Sequence, residues 1–257
     1  MLEINRIYNE DCFCTMLNMD RQIDLILTSP PYNTSKTSGN INDHQNRYDI
    51  HLDNMTNEQY IDWTIKLFNT YDEILSDNGV ILYNLSYASG KINKDKYDLI
   101  WKIIYNIIEK TNFTIADQII WKKSTSIPDN MTPNKCTRIC ENVFVICRKS
   151  EYNTFYSNKK ILSRMPHNNV AVYSTMKNLI EAKNNDGSNS LNKATFSTDF
   201  CINLLSMYAK EKATVYDSFM GTGTTAVSCK KFGVNYIGSE LSIAQCEYAN
   251  KRIIDSL

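Results

Sequence analysis

Long apolar runs are missing from this chain of 257 residues. No uninterrupted stretch approaches the roughly 18 residues that a membrane-crossing helix needs, and residues 1–6 carry no apolar segment of a secretory signal. Both absences point away from a membrane and toward the cytoplasm. Net charge is missing too, since 28 lysines and arginines balance 28 carboxylates. A nucleic-acid partner must then be met by a local basic patch, because phosphates demand positive charge where they touch. The eight cysteines lack useful spacing. The nearest pairs are Cys12/Cys14 and Cys136/Cys140, and neither meets a second pair at zinc-ligand spacing. Free thiols in a reducing compartment, and no metal site, are the expectation. Internal repeats and low-complexity segments are absent as well.

What is present is an alternation of short apolar runs with helical patterns, the signature of an α/β fold with a mainly parallel sheet. Strands are predicted over residues 4–9, 24–28, 79–85, 213–217 and 235–240, with 113–121 and 143–148 as an antiparallel pair. Helices are predicted over 57–75, 97–110, 224–232 and 243–254, the first capped by Thr56, and a further amphipathic helix runs through Leu204 and Leu205. Polar stretches at 34–54, 124–137 and 183–193 read as long loops, which in a compact fold are usually functional or disordered.

Charge is unevenly spread. Residues 121–165 hold nine lysines and arginines against three carboxylates, a local charge of +6. Residues 42–77 hold eight carboxylates against two cations, a local charge of −6. A basic side beside an acidic one permits a nucleic-acid partner without requiring it.

Three sequence features carry chemistry. The run Ile23–Leu27 stops abruptly at Thr28-Ser29-Pro30-Pro31-Tyr32. Two prolines fix φ and remove two backbone donors, leaving carbonyls and the Ser29 hydroxyl as acceptors beside an aromatic ring. That suits a site receiving hydrogen bonds from an exocyclic amino group on a planar base. Near the C-terminus a predicted strand ends at Asp217, and Phe219, Gly221 and Gly223 precede a helix start at Thr224-Thr225. Glycines there let a backbone approach a ligand, and the helix start offers free N–H groups. The next strand ends in Glu240, placed to accept two ribose hydroxyls. On these residues alone the ligand is an adenosine cofactor, NAD included.

The Ser-Pro-Pro-Tyr tetrapeptide resembles the catalytic motif of DNA amino-methyltransferases, which methylate cytosine N4 or adenine N6. The Asp-x-Phe-x-Gly-x-Gly-Thr-Thr block resembles the S-adenosylmethionine motif of those enzymes, with Ser218 where a proline is usual. Lys193-Ala-Thr-Phe-Ser197 is similar to the family's segment beside the methionine end of the cofactor, with Phe196 the matching residue. Asp11, after the first strand, matches an acid near the adenine end. Catalytic motif first and cofactor motif last resembles the β group, of restriction–modification type. The likeness covers 4–32 and 195–252 well and the middle only in pattern.

The resemblance implies a Rossmann-like methyltransferase fold, a mixed and mostly parallel seven-stranded sheet with circularly rearranged motif order, over residues 1–257 as a single domain. It implies catalytic roles for Ser29, Pro30, Pro31 and Tyr32, and cofactor contacts from Asp11, Thr28, Phe196, Asp217, Phe219, Gly221, Gly223 and Glu240. The cofactor would be S-adenosylmethionine. The substrate would be double-stranded DNA, read by a loop-rich region within 122–192 and contacted by Lys122, Lys123, Lys135 and Arg138. Partners in such systems include a cognate restriction endonuclease, and the enzyme would be a monomer or homodimer. Ser29 and Pro30 would polarise the amino group of a flipped base while Tyr32 stacks on it. A serine at the first motif position is associated with cytosine N4 and Asp or Asn with adenine N6, so N4 is favoured and N6 is the alternative. A cytosine-C5 enzyme would need a Cys after a Pro, and no proline here precedes a cysteine. A non-catalytic nucleotide-cofactor module, and a methyltransferase for RNA or a small molecule, are the rival readings.

Overall fold

The computed structural model describes residues 2–20, 22–33, 55–86, 96–126, 133–134, 136–187, 191–192 and 195–256. The expected loop at 34–54 lies outside the described residues, as do parts of those at 124–137 and 183–193, including Lys135.

Strand β1 (Arg6–Tyr8) leads through helix α1 (Cys12–Leu17) to β2 (Ile23–Thr28). Helix α2 (Asn57–Ile74) follows, its start fixed by a capping box between Thr56 and Gln59. Then come β3 (Leu75–Leu85), α3 (Lys96–Lys110), β4 (Phe113–Lys123) and β5 (Cys140–Arg148). A small antiparallel ribbon, β6 (Ile161–Arg164) with β7 (Ala171–Tyr173), precedes β8 (Leu179–Ala182). Helix α4 (Thr198–Tyr208), β9 (Thr214–Asp217), α5 (Thr224–Phe232), β10 (Asn235–Ser239) and α6 (Ile243–Asp255) complete the chain.

The main sheet has eight strands in the order β1-β10-β9-β2-β3-β5-β4-β8. Seven were expected. The addition is β8, which pairs parallel to the outer edge of β4, Ile120 opposite Leu179. Its four residues are too few to carry a periodic signal. Only β5 runs against its neighbours β3 and β4, as the expected antiparallel pair requires.

Both faces are covered, and the strand pleat decides which residues go where. Leu25 and Leu27 pack on one side with Leu204 and Leu205 of α4 and Ala226 of α5. Ile26 packs on the other with Phe68 and Tyr71 of α2 and Ile103 of α3, and Ile23 joins it across the irregularity between Ile23 and Leu25. Burial on both faces explains why the strands read as continuous apolar runs.

Two differences from the sequence reading are instructive. Helix α1 was not expected, because six residues hold under two turns of pattern; Asp11 caps it by accepting from the Phe13 N–H at 2.8 Å. The second lies at the α2–β3 junction. Strand β3 begins at Leu75 rather than at residue 79, and Gly79 sits inside it beside Asn78, whose φ is 58°, where the pairing with β2 shifts register.

Candidate functional site

β9 connects through α5 leftward to β10, whereas β2 connects through α2 rightward to β3, so the winding reverses between β9 and β2. A crevice opens at such a reversal, outside the carboxyl ends of the strands. A cleft lies there, lined by Glu10, Asp11 and Cys12 after β1, and by Ser29 and Pro31 after β2. Trp63 of α2, Thr195 and Phe196 ahead of α4, Ser218 to Thr222 after β9, and Glu240 after β10 complete its wall.

The turn after β9 is anchored from below by Asp217. This carboxylate accepts from Thr28 Oγ1 at 2.7 Å, Thr225 Oγ1 at 2.5 Å and the Phe219 N–H at 3.1 Å. Burial pushes its pKa up, and the bonds from Thr225, Thr28 and Phe219 oppose the shift. Thr28, expected at the cofactor, is 0% exposed and does not line the cleft. Its hydroxyl is spent on Asp217, so its part is structural.

Gly221 and Gly223 divide their duties. Gly221, with φ of 56°, lines the cleft, and its N–H donates to Glu240 Oε2 at 2.7 Å. Gly223 does not line the cleft, contrary to expectation. Its φ is 83°, and an added Cβ would sit 2.7 Å from Ala249 Cβ of α6. Glycine is there for helix packing. Glu240 also accepts from the Ser242 N–H at 2.9 Å through Oε1. Each carboxylate oxygen thus receives one backbone N–H.

The Ser-Pro-Pro-Tyr loop is held from beneath. Tyr60 of α2 donates to the Pro31 carbonyl at 2.5 Å. Asn33, at φ of 51°, clamps Met55 with both ends of its amide, at 2.8 and 3.1 Å. Ser29 and Pro31 reach the cleft, whereas Pro30 is buried. Tyr32, expected to stack on a base, is 8% exposed and does not line the cleft. Its ring is drawn into the core beneath the loop by the 2.6 Å contact between its hydroxyl and Ser29 Oγ and by the 3.2 Å bond it donates to Asn84 Oδ1. The ring at the surface is instead Trp63, which stacks on Tyr60 at 5.5 Å and leans on Phe219 at 5.7 Å.

Asp11, Phe196, Phe219, Gly221 and Glu240 therefore meet Ser29 in one cleft, though the sequence spreads them from end to end. Sequence reasoning missed Glu10, Trp63, Thr195 and Gln245. Trp63 had a readable signal: an apolar residue on α2 beside, rather than within, the buried stripe of Tyr60, Thr64 and Leu67.

The basic candidates fare differently. Lys123 lies over the Trp121 ring at 4.9 Å and forms a close ion pair with the largely buried Glu141. This side chain is committed inside the fold, not offered to phosphate. Lys122 pairs with Glu181 at 3.1 Å but stays well exposed, and Arg138 is partly exposed. Arg148, another contributor to the basic stretch, is buried against Asp72 and Glu151.

The donor set tests which cofactor fits. None of the described residues lining the cleft is Lys or Arg, while Glu10, Asp11, Asp217 and Glu240 supply carboxylates. A pyrophosphate would find no side-chain counter-charge among these residues, so the lining suits a cationic ligand better than an anionic one. A cationic sulfonium with an ammonium group and ribose hydroxyls meets acceptors and aromatic walls, as S-adenosylmethionine requires. Among the described residues no cluster of ligating side chains could hold a metal ion. No described helix is long and apolar enough to cross a membrane.

A family model described as DNA methylase matches residues 23–251. Among curated relatives, the type II methyltransferase M.HinfI of Haemophilus influenzae is 25% identical over 262 residues, covering 97% of this chain and 68% of that protein. M1.MboII of Moraxella bovis is 24% identical, covering 98% and 96%. M.BglII of Bacillus subtilis is 22% identical over 93% of this chain, which spans 66% of its length. Among solved structures, PvuII DNA methyltransferase, described as cytosine-N4-specific, aligns with a TM-score of 0.71 at 16% identity over 97% of this chain and 90% of that one. The M1.HpyAVI–SAM complex aligns with a TM-score of 0.61 at 20% identity over 96% and 98%. Both structural likenesses are of fold.

Proposed function

Because this chain belongs to the N6/N4 DNA methylase family, we propose that it methylates the exocyclic N4 of cytosine in double-stranded DNA, as one methyltransferase unit over 1–257. Amino-methylation of DNA with S-adenosylmethionine follows from the family. The choice of cytosine N4 is this reading's own, supported by the serine at position 29.

One observation carries it. Ser29 opens into the same cleft as Glu240, Gly221, Phe219, Phe196 and Asp11. The Glu240 carboxylate accepts the ribose hydroxyls, Asp11 faces the adenine end, and Phe196 packs beside the methionine end. When bound, S-adenosylmethionine supplies an electrophilic sulfonium methyl group. An exocyclic amino group is a weak nucleophile because its lone pair is delocalised into the ring. The Ser29 oxygen and the Pro30 carbonyl accept its two N–H bonds and favour a pyramidal nitrogen whose lone pair faces the cofactor. The same acceptors stabilise the positive charge that develops on nitrogen, so positioning and preorganised polarity do the catalysis. The target atom is out of reach inside a duplex, so the nucleotide is turned out into the cleft. Trp63 and Phe219, rather than Tyr32, offer it aromatic surface.

DNA meets the edge of the sheet where β4 ends. β4 ends at Lys123 and β5 begins at Cys140, with Lys122 and Arg138 near those two strand ends, and β8 pairs with the same end of β4. Incubation with tritiated S-adenosylmethionine and plasmid DNA, followed by nucleoside mass spectrometry, tests the reading. N4-methylcytosine supports it. N6-methyladenine alone overturns the choice of base, and label in neither base overturns the activity.

A further inference from the structure

A hydrogen-bond chain runs behind the Ser29 hydroxyl. Ser29 Oγ lies 2.6 Å from the Tyr32 hydroxyl, Tyr32 donates to Asn84 Oδ1 at 3.2 Å, and Asn84 Nδ2 donates to the Asn142 carbonyl at 3.1 Å. Asn142 is held in turn by Gln118 Nε2, which donates to its Oδ1 at 2.7 Å. Asn84 sits on β3 and Asn142 opposite Leu85 on β5, so two strands of the sheet frame the chain. Asn84 is 1% exposed, in an interior where a wrongly turned polar group finds no water to correct it.

Each link decides the next. A backbone carbonyl only accepts, so the end of the Asn84 amide facing Asn142 is the NH₂ group and the end facing Tyr32 is oxygen. That oxygen also only accepts, so Tyr32 commits its single phenolic proton to it. The 2.6 Å contact between Ser29 and Tyr32 then needs its proton from serine. Ser29 is left facing the cleft with lone pairs alone.

We propose that Asn84 is a positioning residue: acting through Tyr32, it turns the Ser29 hydroxyl so that the oxygen meets the substrate's amino group as an acceptor and never as a donor. The proposal rests on the amino-methylation reading and sharpens it. A group lacking an N–H, such as the O4 carbonyl of thymine or uracil in place of cytosine N4, would bring lone pairs against lone pairs. The tyrosine of the tetrapeptide then orients the serine three residues before it.

The test is a double-mutant cycle in the full chain. Asn84→Ala and Tyr32→Phe should each lower kcat about tenfold or more while leaving the KM for S-adenosylmethionine within about twofold. In a Ser29→Ala background, adding either change should lower kcat by less than about twofold, because the hydroxyl they orient is gone. Multiplicative losses in the double variants, or full turnover in Tyr32→Phe, would overturn the proposal. If Asn84→Ala fails to fold, the Tyr32→Phe cycle decides alone, since it removes one oxygen and keeps the ring. Wild-type activity is measured first. A wild-type chain that methylates no DNA overturns the functional reading and this proposal together, whereas an active one with independent losses overturns this proposal only.

Discussion

Thr28 and Asp217, 189 residues apart, are joined by a 2.7 Å hydrogen bond between adjacent strand ends. It ties the strand carrying the Ser-Pro-Pro-Tyr loop to the strand carrying the glycine turn, at the point where the winding of the sheet reverses. Both partners are buried, so the bond acts where water cannot replace it. Thr28→Val keeps the shape and removes the donor. It should destabilise the fold by about 1–3 kcal/mol, since a buried acceptor loses a partner. A urea midpoint equal to wild type would show that Thr225 and the Phe219 N–H suffice.

Glu240 has two tasks, and substitutions can separate them. Its carboxylate receives the Gly221 and Ser242 N–H groups and, in the proposed reading, the ribose hydroxyls. Glu240→Ala should weaken S-adenosylmethionine binding by roughly 1.5–3 kcal/mol through loss of charge-assisted bonds. Glu240→Gln keeps an acceptor but turns an NH₂ toward one of those backbone donors, so it should fall in between. Unchanged affinity for a folded alanine variant, measured by calorimetry, would remove Glu240 from the cofactor site.

Much of this was legible before any coordinates. The alternation of elements was readable because strands buried on both faces spell themselves as apolar runs, as 23–27 does. The cofactor turn was readable because a strand ending at Asp217 runs through glycines into a helix start, and the next strand ends in an acid, Glu240. What was not legible is which atoms face where. Thr28, Tyr32 and Gly223 belong to the right motifs, yet none of them lines the cleft, and that depends on partners such as Asp217, Asn84 and Ala249 that lie far off in sequence. The basic stretch was overcounted for the same reason. Lys123 and Arg148 meet Glu141, Asp72 and Glu151 only once the strands pair. Strand β8 and helix α1 were too short to show a period at all.

Gly223 offers a test of packing against function. Its left-handed φ costs about 1–2 kcal/mol for any other residue, and overpacking against Ala249 adds about 1–3 kcal/mol. Gly223→Ala should therefore lower the unfolding midpoint markedly. Ala249→Gly opens the space that the new methyl needs, so the double variant should recover the packing share and keep the conformational one. If the second change recovers nothing, Gly223 is not a packing glycine, and a direct ligand contact becomes the better account.

The thiols carry a pH signature that runs opposite to acid unfolding. Burial pushes Cys12 and Cys201 up to about 12 and Cys147 up to about 11, from an ordinary value of 9.0. The folded chain thus holds these protons more tightly than the unfolded chain does. Their contribution to stability is full below about 9 and is lost as pH rises from there toward about 12. Urea midpoints should fall across that window, and Cys201→Ala should flatten the decline. Near neutral pH the Cys12 thiol remains protonated at the edge of the cleft, which leaves it no part as a nucleophile. Iodoacetamide on the folded chain should label the exposed Cys14 and Cys136 and spare Cys12, Cys147 and Cys201, as read by peptide mass spectrometry. Rapid labelling of Cys12 at neutral pH would mean that its thiol is neither buried nor raised, and the cleft wall after β1 would need to be redrawn.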